Sequence, residues 1–467
     1  METQNASWAS VLKTLATLFA ALVVLVLPAS ARADWKAGVA RGRITPDEPI
    51  WMSGYAARDR PAEGTLHALW AKALALDDGK GGRALMVTLD LCGIDRDLST
   101  RVCRRITERH GLDRSAVTLC VSHTHTGPVV GRNLRSMYFL DERQRTLVDA
   151  YTRTLEDRIV AVAGEALAGM KPSRLEWGVG SATFAVNRRT NREEDVTRLR
   201  EAGELKGPVD HDLPVLVVRP AGSDAPSAVV FGYACHATTL SFYQWSGDWP
   251  GFAQIELEKA YPGAAALFVA GCGADQNPLP RRTVQLAEDY GKQAATSVGE
   301  TIRNGLRPVD GRLQTRYSEI DLPYATVPTR DELARDAESK DRYVAARARL
   351  LLGQFDRDGH LDGTYPYPVQ AWRLGDELLI LLLGGEVVVD YALRFKRELG
   401  GRTWVAGYCN DVMAYIPSRR VLTEGGYEGG GAMVYYGLPS PWAPEVEERI
   451  AGEVRRLAGQ ELHGPVR

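Results

Sequence analysis

At 467 residues, 45% hydrophobic and 25% charged, the chain has the balance of a globular protein able to bury a large core. Its net charge of −2 and pI near 6.5 leave no electrostatic footprint for nucleic acid, and no run of like charge is long enough to draw a polyelectrolyte partner.

The first 33 residues read as an export signal: Lys13 precedes an apolar stretch over 15–27, and Ala31-Arg32-Ala33 offers the small residues that a signal peptidase reads. That stretch is shorter than the ~20 apolar residues that span a bilayer, which weighs against the alternative of an uncleaved anchor. The mature chain is expected to begin near Asp34 and to work outside the cytoplasm, in a periplasm or as a secreted protein. No later segment is long and apolar enough to predict a transmembrane helix.

A short apolar strand at 84–90 precedes a helix that Ser99 opens and Gly111 closes, with Val102 and Ile106 on one face. A strand at 116–122 then delivers His123 to its end. Four-residue spacing of Leu147, Tyr151, Leu155 and Ile159 predicts a long amphipathic helix over 143–169. Further strands are expected at 213–219, 228–234, 266–270, 377–383 and 403–407, with a charged helix at 330–355 and a closing helix at 444–457. The Pro/Gly-rich stretch 415–442 reads as one long functional loop. Apolar strands between amphipathic helices predict an α/β fold: layered mixed sheets flanked by helices, in a single large unit over 34–467. The cysteines (Cys92, Cys103, Cys120, Cys235, Cys272, Cys409) form no Cys-x-x-Cys pair and read as small buried hydrophobes, with no legible disulfide connectivity.

Several residues of metal-binding type sit in short runs that look like strand ends. In Ser122-His123-Thr124-His125-Thr126-Gly127-Pro128, two histidines two apart leave the same face of an extended chain, so one can ligate while the other reaches substrate. His236 follows an apolar strand, and Glu386 follows an apolar run and two glycines, where backbones can approach closely. Taken alone, His-x-His also suits a surface or core pair, His236 a hydrogen-bonded core residue, and Tyr415 core packing. Together, two imidazoles and a carboxylate with room for water are the donor set of an open, catalytic zinc site rather than a closed structural one.

These runs, in this order, resemble the neutral ceramidase family. There a Thr-His-Thr-His-Ser-Gly-Pro run, a histidine after an apolar strand, a Gly-Glu pair and a tyrosine five residues after an asparagine supply the zinc ligands. The resemblance implies Zn²⁺ held by His123, His236, Glu386 and Tyr415. Tyr427-Glu428 keeps the spacing of the family's substrate-facing Tyr-Glu pair, Asn187-Arg188 that of its substrate-binding arginine, and Gly64-Thr-Leu-His67 that of an N-terminal Gly-x-His signature. Met52-Ser-Gly54-Tyr55 and Val209-Asp210-His-Asp212-Leu-Pro214 also have family counterparts, so the likeness runs from about residue 40 to 440.

The implied activity is hydrolysis of an N-acyl lipid, N-acylsphingosine, by metal-activated water. His125 is the expected proton donor to the leaving amine, its ordinary pKa of ~6.5 suiting both halves of the cycle. Arg188 and Tyr427 would bind the substrate and its developing oxyanion, His67 would contact substrate, and Asp275 and Asn277 would orient groups in the pocket. Partners are then a small amphiphilic molecule and, peripherally, a membrane.

Two departures stand out. The family's Asp-Val-Ser-Pro run, with its proposed catalytic serine, is Asp275-Gln276-Asn277-Pro278 here, and a carboxamide cannot form an acyl-enzyme. The chain also ends at Arg467, so the family's C-terminal immunoglobulin-like domain is expected to be missing. A zinc hydrolase of a more polar amide or ester, and a non-catalytic binding protein on the same fold, are the alternatives.

Overall fold

Strands that are apolar at nearly every position must be covered on both faces, and this chain does so by stacking two sheets between layers of helices. The computed structural model describes residues 35–459; the export-signal reading of the first 33 residues lies outside them.

The larger sheet contains β1 (Trp35–Arg43), β2 (Trp70–Asp77), β3 (Arg83–Leu89), β4 (Val117–Val121), β5 (Lys171–Ser181), β6 (Asp212–Pro220), β7 (Ala228–Tyr233) and β8 (Ala265–Ala270). Their order is β8-β7-β6-β5-β1-β2-β3-β4, with the short strand Arg307–Val309 added beside β5. The outermost pairs, β7 with β8 and β3 with β4, run parallel, and the pairs between them are antiparallel. The smaller sheet has β9 (Leu313–Pro323), β10 (Thr364–Leu374), β11 (Leu378–Leu383) and β12 (Thr403–Ala406) side by side, with only β11 and β12 parallel.

Side chains alternate between faces, and that alternation builds the layers. Leu378, Ile380 and Leu382 of β11 meet Met86, Val230 and Leu267 of the large sheet, with Trp372 and Trp404 filling the space between sheets. Leu379, Leu381 and Leu383 face the other way, onto the helices Val389–Leu399 and Val446–Leu457. On the far side of the large sheet, Leu85, Val87 and Leu89 pack on the helices Arg96–His110, Glu142–Ala168, Asp248–Ala260 and Val284–Asn304. The layered α/β architecture read from the sequence is the one observed.

Local chemistry moved some boundaries. The first helix starts at Arg96, not Ser99, because the Asp95 carboxylate accepts the Leu98 N–H at 2.9 Å and caps it earlier; Gly111 closes it at φ 60° as expected. The helix expected at 330–355 is two, Arg330–Asp336 and Arg342–Asp358, since Asp341 caps a new N-terminus by accepting from the Tyr343 and Val344 N–H groups. The stretch 415–442 is not one loop. It holds the strand Tyr415–Ile416, the helix Arg419–Glu424, a π-type turn at Tyr427–Gly431 and the helix Met433–Tyr436. All six cysteines are buried free thiols. Among the described residues no helix is long and apolar enough to cross a membrane.

Candidate metal centre

The loops leaving one end of β4, β7 and β11 converge. Past β4 the chain turns through His123, whose φ of 58° lies in the left-handed region. The extended geometry expected of the His-x-His run therefore does not hold. The two rings nonetheless meet, with His125 Nε2 3.1 Å from His123 Nε2. Past β7, the backbone of His236 is pinned at both ends: its N–H donates to the Gln276 carbonyl at 2.9 Å and its carbonyl accepts from the Trp249 indole at 2.9 Å. Past β11, Gly385 adopts φ 74°, and a Cβ there would come within 2.6 Å of Ile416 and 2.8 Å of the Ala414 carbonyl. That close approach lets Glu386–Val387 run parallel to Tyr415–Ile416, which makes Glu386 and Tyr415 register partners.

The imidazoles of His123 and His236 each have their outer nitrogen occupied. His123 Nδ1 lies 2.6 Å from the Cys92 carbonyl and His236 Nδ1 2.8 Å from the Gly273 carbonyl, so both rings carry their proton on Nδ1 and turn the Nε2 lone pair inward. Glu386 Oε2 sits 3.1 Å from the first Nε2 and 3.2 Å from the second, all three side chains being buried. Three lone-pair donors facing one point with no proton between them leave Oε2 a buried oxygen without a hydrogen-bond partner. A cation satisfies all three at once, and the residues fit one.

The electrostatics agree. Burial opposes charge on His123, but the adjacent Glu386 carboxylate outweighs it and raises the imidazole above its ordinary value, the pull that a negative charge here exerts on any cation. Burial and Arg188 push His236 down to about 4. Burial would raise Glu386, yet the two histidines hold it well below the carboxylate range. His125 is kept well below its ordinary value by burial and by His123 and His236. The pKa of ~6.5 expected for it from sequence does not survive in this environment.

The remaining candidates fall into two groups. Arg188 is a hub rather than a surface ion pair: it donates to Glu428 at 2.7 Å, to Asn277 Oδ1 at 3.3 Å and to the Tyr415 hydroxyl at 3.0 Å. Tyr415 Oη is also 3.5 Å from His236 Nε2. Tyr427, 44% exposed, stands with its ring 5.2 Å from that of Tyr415, on the open side of the cluster. Asp275 is set deeper: its carboxylate accepts the Val389 N–H at 2.8 Å and the Asn187 amide at 3.1 Å, and its carbonyl accepts the Arg188 N–H. His67 is not drawn into the cluster. Its partners are Ser246 at 3.1 Å and the ring of Phe252, so it braces the 246–251 turn.

Sequence reasoning gave the supports no role, although it singled out the run Met52-Ser-Gly54-Tyr55. Gly54, at φ 94°, lies so close to His125 that a Cβ would be 2.5 Å from the imidazole, and the Tyr55 ring meets the same imidazole edge-on at 4.8 Å. Tyr408 lies over His123 at 4.5 Å, and the Tyr436 hydroxyl donates to Glu386 Oε1. No local pattern marks either tyrosine as part of the site.

Asp411, in the run that leads to Tyr415, gives a testable pH effect. Its Oδ2 accepts the Tyr365 hydroxyl at 2.6 Å, Oδ1 has no partner, and burial pushes the carboxyl up to about 8. A raised folded-state pKa means that the group's contribution to stability is complete below the ordinary ~3.9 and is lost as pH rises through about 8. Asp411→Asn keeps the acceptor for Tyr365 and cannot ionise. Its melting temperature is expected to match wild type near about pH 4 and to exceed it increasingly up to about pH 8; parallel curves would contradict this.

A family profile described as neutral/alkaline non-lysosomal ceramidase, N-terminal, matches residues 35–277. The neutral ceramidase of Pseudomonas aeruginosa is 22% identical over 93% of this chain and 74% of its own length. Neutral ceramidase A of Dictyostelium discoideum is 24% identical over 60% of this chain and 38% of its own length. The crystal structure of the Pseudomonas aeruginosa neutral ceramidase superposes with a TM-score of 0.69 at 19% identity, covering 91% of this chain and 74% of that one. A ceramidase complexed with C2 gives a TM-score of 0.71 at 18% identity, with 91% and 75% covered.

Proposed function

Because the chain belongs to the neutral/alkaline non-lysosomal ceramidase family, we propose that it hydrolyses N-acylsphingosine to a sphingoid base and a fatty acid. The observation that carries this reading is the convergence of His123 Nε2, His236 Nε2 and Glu386 Oε2 on one buried point. Those three residues, with Tyr415 as a fourth donor, would hold zinc. A bound zinc ion supplies a water acidic enough to attack an amide near neutral pH and a Lewis acid for the carbonyl oxygen.

The protein's own groups supply the rest. Arg188 stays charged: burial opposes it, but Tyr415 and Glu428 hold the guanidinium well above even its ordinary value. It holds the Tyr415 oxygen and the Asn277 side chain by hydrogen bonds, and groups fixed in this way can stabilise an amide oxygen as it gains negative charge. Since Asn277 Oδ1 accepts from Arg188, its Nδ2 hydrogens face away from that guanidinium as further donors. Asn277 offers no hydroxyl to form an acyl-enzyme, which favours direct attack by water over a serine ester. His125, whose Nε2 lies 3.1 Å from His123 Nε2 at the edge of the cluster, is the group that would pass a proton to the leaving nitrogen. Tyr427 borders the open side, where the substrate's amphiphilic arms extend. The export signal read over residues 1–33 makes action outside the cytoplasm part of the same proposal.

One observation favours a second reading, an amide or ester with a more polar acyl group. Arg58 is buried beside the Tyr55 ring at 4.9 Å, its guanidinium donating to the Ser53 and Phe242 carbonyls, with no carboxylate paired to it among the described residues. Arg282 lies over the same ring at 5.9 Å. An anionic group on the substrate would answer both. A panel of N-acylsphingosines and short N-acyl compounds with and without a carboxylate, assayed with zinc and with chelator, separates the readings. Zinc-dependent turnover confined to the lipids supports the first; turnover confined to the anionic short amides overturns it in favour of the second.

A further inference from the structure

Resting on the metal reading above, we infer that Tyr436 is a positioning residue that holds Glu386 to one-oxygen ligation. A carboxylate offers a cation either one oxygen or both. Here the two oxygens are already divided: Oε2 faces the imidazole nitrogens of His123 and His236 at 3.1 and 3.2 Å, while Oε1 accepts the Tyr436 hydroxyl. Turning Oε1 toward a cation would break that hydrogen bond and strand a phenol that is only 6% exposed, a costly outcome for a buried donor.

The phenol cannot easily step aside. Tyr436 ends the short helix Met433–Tyr436, and the next residue, Gly437, turns at φ 74° where a Cβ would lie 2.4 Å from Leu350 and 2.8 Å from the Ser136 hydroxyl. The Ser136 N–H also donates to the Tyr435 carbonyl at 3.2 Å. A single carboxylate oxygen leaves a coordination place that a second would fill, and an open place is what distinguishes a catalytic site from a structural one. Tyr436 would thereby keep open the coordination place that the reaction needs.

The test uses cobalt(II) as the probe, loaded into full-length wild type and Tyr436→Phe. X-ray absorption on the wild type is expected to count one carboxylate oxygen at bonding distance. Tyr436→Phe is expected to bind cobalt roughly 10–100-fold more weakly, the loss typical of removing an outer-shell partner, and to show weaker visible absorption as its coordination number rises. Equal affinity with an unchanged spectrum would overturn the inference, and so would two carboxylate oxygens in the wild type, a result that stands even if the variant fails to fold. Wild-type protein that takes up no cobalt would remove the metal reading itself and this inference with it.

Discussion

His236→Ala is expected to retain roughly a tenth or less of the wild-type metal and to lose hydrolysis of N-acylsphingosine by more than about 10²-fold, since removing even an outer-shell partner costs 10–100-fold. The substitution is a clean one. The His236 backbone is held by Gln276 and Trp249, neither of which needs the imidazole, so the loop should keep its path. What goes is one of the two nitrogens facing Glu386 Oε2, 3.2 Å away. Metal analysis beside a melting curve separates loss of the site from loss of the fold. Full metal content in a folded variant would mean that the ion, if any, lies elsewhere.

Arg188→Ala is expected to lower kcat by about 10²–10³-fold, the scale for losing a donor aimed at a developing oxyanion. Its three side-chain partners, Glu428, Asn277 and Tyr415, come from three separate segments, and without the guanidinium none of them is fixed relative to the others. Stability should fall by less than the ~3–5 kcal/mol of an orphaned buried charge, because Arg189 still donates to Glu428 at 2.6 Å. Arg188→Lys should not rescue, as one ammonium cannot reproduce a planar fork reaching three acceptors. A change in KM with kcat intact would reassign Arg188 to substrate binding alone.

How much of this was legible follows from where each signal resides. Leu378–Leu383 announced itself because both faces of β11 are covered, which forces an unbroken apolar run. β5 and β9 did not: Lys171–Ser181 and Leu313–Pro323 carry charged residues along partly exposed faces, so neither reads as an apolar run. His123, His236, Glu386 and Tyr415 were picked out by the resemblance of their runs to a known family; the structure brings the first three side chains together and sets the Tyr415 hydroxyl 3.5 Å from His236 Nε2. The face argument for His123 and His125 failed because a left-handed turn intervenes, a feature that no residue type in Ser-His-Thr-His declares. The ordinary pKa assumed for His125 failed for a related reason, since burial and neighbouring charge are tertiary properties. Tyr436 was invisible for the simplest reason: it meets Glu386 from 50 residues away, out of a glycine-rich stretch that looked like loop.

The proposed chemistry requires one ion at one point. Anomalous diffraction at the zinc absorption edge, from crystals of the purified protein, is expected to give a single strong peak bonded to His123 Nε2, His236 Nε2 and Glu386 Oε2. A peak ligated by other residues, or no peak where those three atoms meet in protein grown with zinc, would contradict it.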